Sequence, residues 1–278
     1  MPEPTVQTAK TQFVTTKDGI KLAYRLLGPS SGTPLLFLHH FRGTIDHWDP
    51  LLIHFIAAHR PVILFDNAGI GHSTGAVDDS VAKMATHAIE FLSSSKSPKS
   101  TSWASLLTGT TATYGPDLVQ SMTDEGVLKY ATAQDLTLEG FQYLFFNPTK
   151  TSEAAGRAWW DRIHERTAET SGENRVQYVS EGFTDGGASM MNLITAMQAA
   201  GDPANAAEGS YDRLGEIKIP VLVANGYEDI MVPTINSFYT SQRIPGAYLL
   251  VFPDAGHGFL FQYAEQFAKQ VNGFLDGW

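Results

Sequence analysis

The chain has 278 residues, 43 % hydrophobic and 17 % charged, with a formal net charge of −10 and no cysteine. That length suits one α/β domain with a large buried core. The acidic balance argues against nucleic acid or an anionic membrane as partner, since both require clustered Lys and Arg, and the missing cysteine excludes disulfides, thiolate nucleophiles and cysteine-type zinc sites. No run approaches the ~18 apolar residues of a membrane span. Met1–Lys10 is polar and lacks the apolar stretch of a secretory signal, so a cytoplasmic location is expected.

In chain order, Phe13–Thr16 and Ile20–Leu27 are predicted strands, joined through Lys17-Asp18-Gly19, where the Asp-Gly pair signals a hairpin. Pro34–Leu38 is a short apolar run, as expected of a buried strand. Asp46–Ala58 has helical spacing, and Pro61–Phe65 is a second buried strand that ends at Asp66. Asp79–Leu92 is predicted helical, with Asp79 or Ser80 as its cap and Val81, Met84, His87, Ala88 and Phe91 on one face. Ser93–Gly115 is rich in Ser and Thr and has no clear period. Pro116 to about Ala207 suggests several helices with aromatic content, including Phe141–Phe146 and Trp159–Ile163. Ile217–Ala224 and Ala247–Phe252 are predicted strands around a helix that begins at Pro233–Ser241. Phe259–Leu275 is predicted as one closing amphipathic helix. Alternating strands and helices imply a parallel sheet with right-handed crossovers.

Four polar segments each follow a predicted strand: His39-His40-Phe41-Arg42-Gly43, Asp66–Ser73, Asn225–Pro233 and Asp254–Phe259. The loops beyond the C-terminal ends of parallel strands are where α/β sheets place their sites. Together, in this order and spacing, the four segments resemble the α/β-hydrolase superfamily over about two thirds of the chain. The resemblance implies a mostly parallel sheet with helices on both faces and a helical cap. Residues 1–115 and 213–278 would form the two parts of the core, and 116–212 the cap. It also implies a catalytic acid at Asp229, a catalytic histidine at His257 and an oxyanion N–H at Phe41. Glu228 stands beside Asp229 as an alternative acid. An imidazole titrating near pH 6.5 can take a proton and return it at neutral pH, a buried carboxylate fixes its tautomer, and preorganised N–H groups stabilise an oxyanion. Gly256 and Gly258 are read as allowing a tight turn around His257. Asp66, Gly69 and Gly71 are read as a structural turn. No carboxylate joins His39, His40 and His47 at ligand spacing, so neither a metal nor a cofactor is expected.

The family requires a nucleophile on a strained strand-to-helix turn of the type G-x-S-x-G. The chain shows none after the Asp79–Leu92 helix, and the nucleophile is left unassigned. Gly109-Thr110-Thr111-Ala112-Thr113 is a poor imitation; Gly182-Phe183-Thr184-Asp185-Gly186 has the spacing with threonine but falls within the presumed cap. The apolar strand before the elbow and the helix and strand after it are also missing from the pattern, so the central part of the sheet is expected to be abbreviated. In one possible coding of Lys99–Leu107, a single G inserted after the first codon gives Lys-Val-Asp-Leu-Leu-Gly-Phe-Ser-Leu, a strand entering a serine elbow; this suggests a frame error or mis-splice. The functional expectation is a cofactor-free hydrolase of ester- or lactone-type small molecules by ancestry. The alternatives are a non-catalytic module that binds a small apolar ligand, with Phe146, Trp159 and Trp160 as candidate lining, and a defective product.

Overall fold

The computed structural model describes residues 4–94, 104–106, 114–121 and 123–277. Its strands are β1 (Gln12–Thr15), β2 (Lys21–Leu27), β3 (Leu35–Phe37), β4 (Val62–Phe65), β5 (Ala104–Leu106), β6 (Leu222–Gly226) and β7 (Tyr248–Phe252). Its α-helices are α1 (Pro50–Ala57), α2 (Val81–Ser94), α3 (Glu125–Ala131), α4 (Leu138–Phe145), α5 (Lys150–Ile163), α6 (Ala168–Ser171), α7 (Ala188–Gly201), α8 (Thr234–Arg243), α9 (Phe259–Gln262) and α10 (Ala264–Leu275). The chain divides into two units: residues 1–108, 161–196 and 265–278 in the first, 109–160 and 197–264 in the second. Residues 116–212, expected as a cap, contribute to both.

The first unit holds a sheet in the order β1-β2-β4-β3-β5. β1 and β2 form the expected antiparallel hairpin, and β2 also runs antiparallel to β4. β3 lies parallel to both β4 and β5, with Leu35 opposite Val62 and Ala104. Every residue of β3 and β4 is buried, which explains their unbroken apolar runs. α2 lays Ala88 and Phe91 against the sheet, where Phe91 meets the rings of Tyr24 and Phe65 at 5.1 and 4.8 Å. Asp49 caps α1 through the Leu51 N–H at 2.9 Å, and Pro50 occupies the first turn, where its missing N–H costs nothing. Asp46 and His47 belong to a short 3₁₀ turn ahead of α1, so the helical spacing from Asp46 is two elements rather than one.

The same unit buries Arg25 completely. Its guanidinium pairs with Asp46 at 2.5 Å, and Asp46 also lies 3.3 Å from each of Arg166 and His72 and accepts the Val176 N–H at 2.8 Å. This network ties β2, the turn before α1 and the segment around Arg166 to one another.

In the second unit β6 and β7 run parallel, in register from Leu222 opposite Tyr248 to Gly226 opposite Phe252, with α8 as the connection. β6 starts later than the expected Ile217, because Pro220 has no N–H to contribute to a ladder. Phe141 and Phe145 of α4, Trp159 of α5 and Phe261 of α9 form an aromatic core. Trp159 is fully buried and Phe146 is 5 % exposed, so both are core residues here rather than open pocket lining.

Two expectations are corrected. The closing helix is broken between Gln262 and Ala264, giving α9 and α10. A strand lies in the Ser/Thr-rich segment where no period is evident: Ala104–Leu106 pairs with β3, because three residues suffice for a parallel ladder even without a long apolar run. Among the described residues no helix or strand lies between Leu106 and Glu125.

Candidate active site

The parallel pairing of Gly226 with Phe252 ends β6 and β7 side by side, so the loops that follow them are neighbours. Asp229 lies in the first loop and His257 in the second. The Asp229 Oδ1 atom accepts the N–H groups of Met231 at 2.8 Å and Val232 at 2.9 Å. That fixes the carboxylate and turns Oδ2 toward His257 Nδ1, 2.8 Å away. Nδ1 facing a carboxylate carries the proton, which leaves the Nε2 lone pair as the base. The Asp229 side chain is 1 % exposed and that of His257 12 %. Burial pulls the imidazole pKa down, but the Asp229 charge and hydrogen bond outweigh it, and the net shift is upward.

Glu228, the alternative acid, is directed elsewhere. Its carboxylate accepts Asn147 Nδ2, and its N–H donates to Ala255 O at 3.1 Å. The two glycines beside His257 also have a different reason from the one expected. Neither has a positive φ. They are small because the Phe145 carbonyl lies where a side chain would go, 3.0 Å from a Cβ built on either. The turn after α4 is therefore part of this site, and no sequence signal marks it.

Phe41 belongs to the first unit, in the loop after β3, and packs against a cluster that includes Ile70, Val77 and Val179. Among the described residues its N–H has no acceptor. The loop around it is held firmly. Arg42, buried and at φ 62°, donates through Nε to Val179 O at 2.7 Å, and its own carbonyl accepts the Val179 N–H at 2.9 Å. Asp66 accepts the N–H groups of Ile45 and His72, both at 2.9 Å, and lies 3.1 Å from His39 Nε2. His40 Nδ1 lies 3.0 Å from the Phe41 carbonyl oxygen, and His47 Nδ1 accepts the Thr44 N–H at 3.0 Å. The three histidines thus have separate protein contacts.

Of the two elbow imitations, Gly109–Thr113 lies outside the described residues. Gly182–Gly186 is an exposed turn with no strand before it among the described residues. Asp185 there accepts the N–H groups of Gly187 and Ser189 and the Ser180 hydroxyl, as a cap of α7. Burial opposes the charge, but these hydrogen bonds hold the carboxyl down at about 2. Thr184 therefore lacks the setting of a nucleophile.

No family model matches the chain. A non-heme chloroperoxidase of Streptomyces lividans is 26 % identical over 273 residues, covering 94 % of this chain and 98 % of that protein. A bifunctional esterase/perhydrolase of Acinetobacter calcoaceticus is 22 % identical, covering 95 % and 99 %. Among solved structures, an α/β-hydrolase fold protein from Chitinophaga pinensis superposes with a TM-score of 0.81 at 28 % identity, over 99 % of this chain and all of that one. The chain belongs to the α/β-hydrolase superfamily. In this α/β-hydrolase the candidate acid Asp229 follows β6 and the candidate histidine His257 follows β7.

Proposed function

We propose that the chain is a cofactor-free hydrolase of ester- or lactone-type small molecules, with His257 as general base and acid and Asp229 as its orienting carboxylate. The observation that carries this reading is the 2.8 Å bond between His257 Nδ1 and a carboxylate already held by two backbone N–H groups. In an acyl transfer, Nε2 takes the proton of the attacking hydroxyl as the new C–O bond forms. When the tetrahedral adduct collapses, the same nitrogen returns the proton to the departing alkoxide. A backbone N–H fixed beforehand stabilises the oxyanion between those events. The names of the two relatives, a bifunctional esterase/perhydrolase and a non-heme chloroperoxidase, support ester hydrolysis without a haem. The attacking hydroxyl is left unassigned, because the sequence shows no G-x-S-x-G elbow and residues 107–113, which follow β5, lie outside the described residues. A fluorophosphonate probe, followed by intact-mass measurement, tests the reading: a single adduct that disappears in His257→Ala supports it. A folded protein that stays unlabelled and hydrolyses no ester points instead to a ligand-binding module.

A further inference from the structure

The geometry points to the turn from Phe145 to Ser152, between α4 and α5, as the positioning element of the His257–Asp229 pair. The inference rests on the hydrolase reading only for its catalytic consequence; the contacts stand without it.

Four connections run from this turn to the two loops. The Phe145 carbonyl accepts the Gly258 N–H at 2.7 Å, immediately after His257. Asn147 Nδ2 donates to the Glu228 carboxylate, immediately before Asp229. Thr149 Oγ1 donates to Asp254 Oδ1 at 2.8 Å. The Ser152 hydroxyl, which accepts the Asn147 N–H at 2.9 Å, donates to Gln262 Oε1 at 2.7 Å, and Gln262 Nε2 donates to Asp254 O at 2.7 Å. One turn thus holds residues on both sides of His257 and the neighbour of its acid.

Three further observations give these contacts a purpose beyond packing. Asp254 sits at φ 48°, a left-handed conformation uncommon for non-glycine residues, and both Thr149 and Gln262 hydrogen-bond to it. The Phe145 ring lies 5.3 Å from the imidazole, centroid to centroid, and is backed by Phe141 and Phe261, so it has no room to swing aside. Gly256 and Gly258 give up their side chains to admit the Phe145 carbonyl. A hydrogen-bonded base whose ring and loop are fixed from outside is preorganised for proton transfer, and a misplacement of about 1 Å can cost roughly 100-fold in rate.

The test uses the full-length protein carrying Asn147→Leu, which removes the hold on the acid loop, and Thr149→Val, a mild change at an exposed position. The first readout is the His257 Nδ1–H resonance by proton–nitrogen NMR, which requires no nucleophile. Both variants are expected to exchange this proton with solvent about 10-fold faster than the parent, with unchanged circular dichroism. Where the parent hydrolyses an ester, kcat falls by about 10-fold with KM unchanged, the pattern of a mispositioned base rather than a damaged binding site. A parent inactive on esters, with the resonance still shifted in the variants, sinks the hydrolase reading and upholds this one. An unchanged exchange rate in folded Thr149→Val, or an equal loss in kcat and rise in KM, overturns it.

Discussion

Gly226 and Gly256 meet backbone to backbone: a Cβ on Gly226 would collide with the Gly256 carbonyl oxygen. The end of β6 and the loop carrying His257 can therefore sit together only with no side chain at position 226. Gly226→Ala is expected to lose about 1–3 kcal/mol of stability, the usual cost of overpacking. It should also weaken the His257–Asp229 bond. Urea denaturation and the His257 Nδ1–H resonance check the two effects separately.

The upward shift of His257 sets the pH dependence of activity. A general base must be neutral, so hydrolysis should rise with pH through a midpoint above the ordinary value of 6.5. Asp229→Asn is expected to lower kcat by about 10⁴-fold, because it removes the group that selects the tautomer. A pH–rate profile of the parent and a kcat comparison with the variant check both statements.

The same shift acts on stability with a definite sign. A histidine whose folded pKa is raised contributes stability that is fully present below its unfolded value, about 6.5, and lost as the pH rises through the folded pKa. Denaturation of the parent against His257→Gln at a series of pH values should show an advantage for the parent in mild acid that fades in mild alkali.

Asp46 behaves in the opposite direction. Burial works against its charge, but the His72 hydrogen bond and the Arg25 charge hold its carboxyl well below the usual range. Its stability contribution is present above the unfolded carboxyl pKa and lost as the pH falls through the depressed folded value. Asp46→Asn removes one of the two carboxylates that face the buried Arg25 and Arg166, leaving Glu173 to serve both, and should cost about 3 kcal/mol at neutral pH, measured by chemical denaturation.

Thr184 provides a negative control. It lies in a capping turn rather than a strand-to-helix elbow, so Thr184→Val should leave fluorophosphonate labelling and ester hydrolysis unchanged.

β3 and β4 are legible because buried parallel strands require unbroken apolar runs, and Leu35–Phe37 and Val62–Phe65 supply them. β5 was not legible: Ala104-Ser105-Leu106 has neither the length nor the apolarity of such a run and is defined by its pairing with β3. His257 stood out through its place after the last strand. The choice between Glu228 and Asp229 could not be made from adjacent residues, and the structure separates them through the Met231 and Val232 N–H groups on one side and Asn147 on the other. Gly256 and Gly258 make room for a carbonyl rather than for a left-handed turn. The sequence marks small residues but not what fills the space they leave, and here that is a carbonyl more than a hundred positions away, at Phe145.

The most direct test of the central claim is active-site labelling of the purified, folded chain with a fluorophosphonate, read by intact mass and repeated on His257→Ala. The account predicts one adduct on the parent and none on the variant. Equal labelling of the two proteins, or no labelling together with no ester hydrolysis by the folded parent, would contradict it.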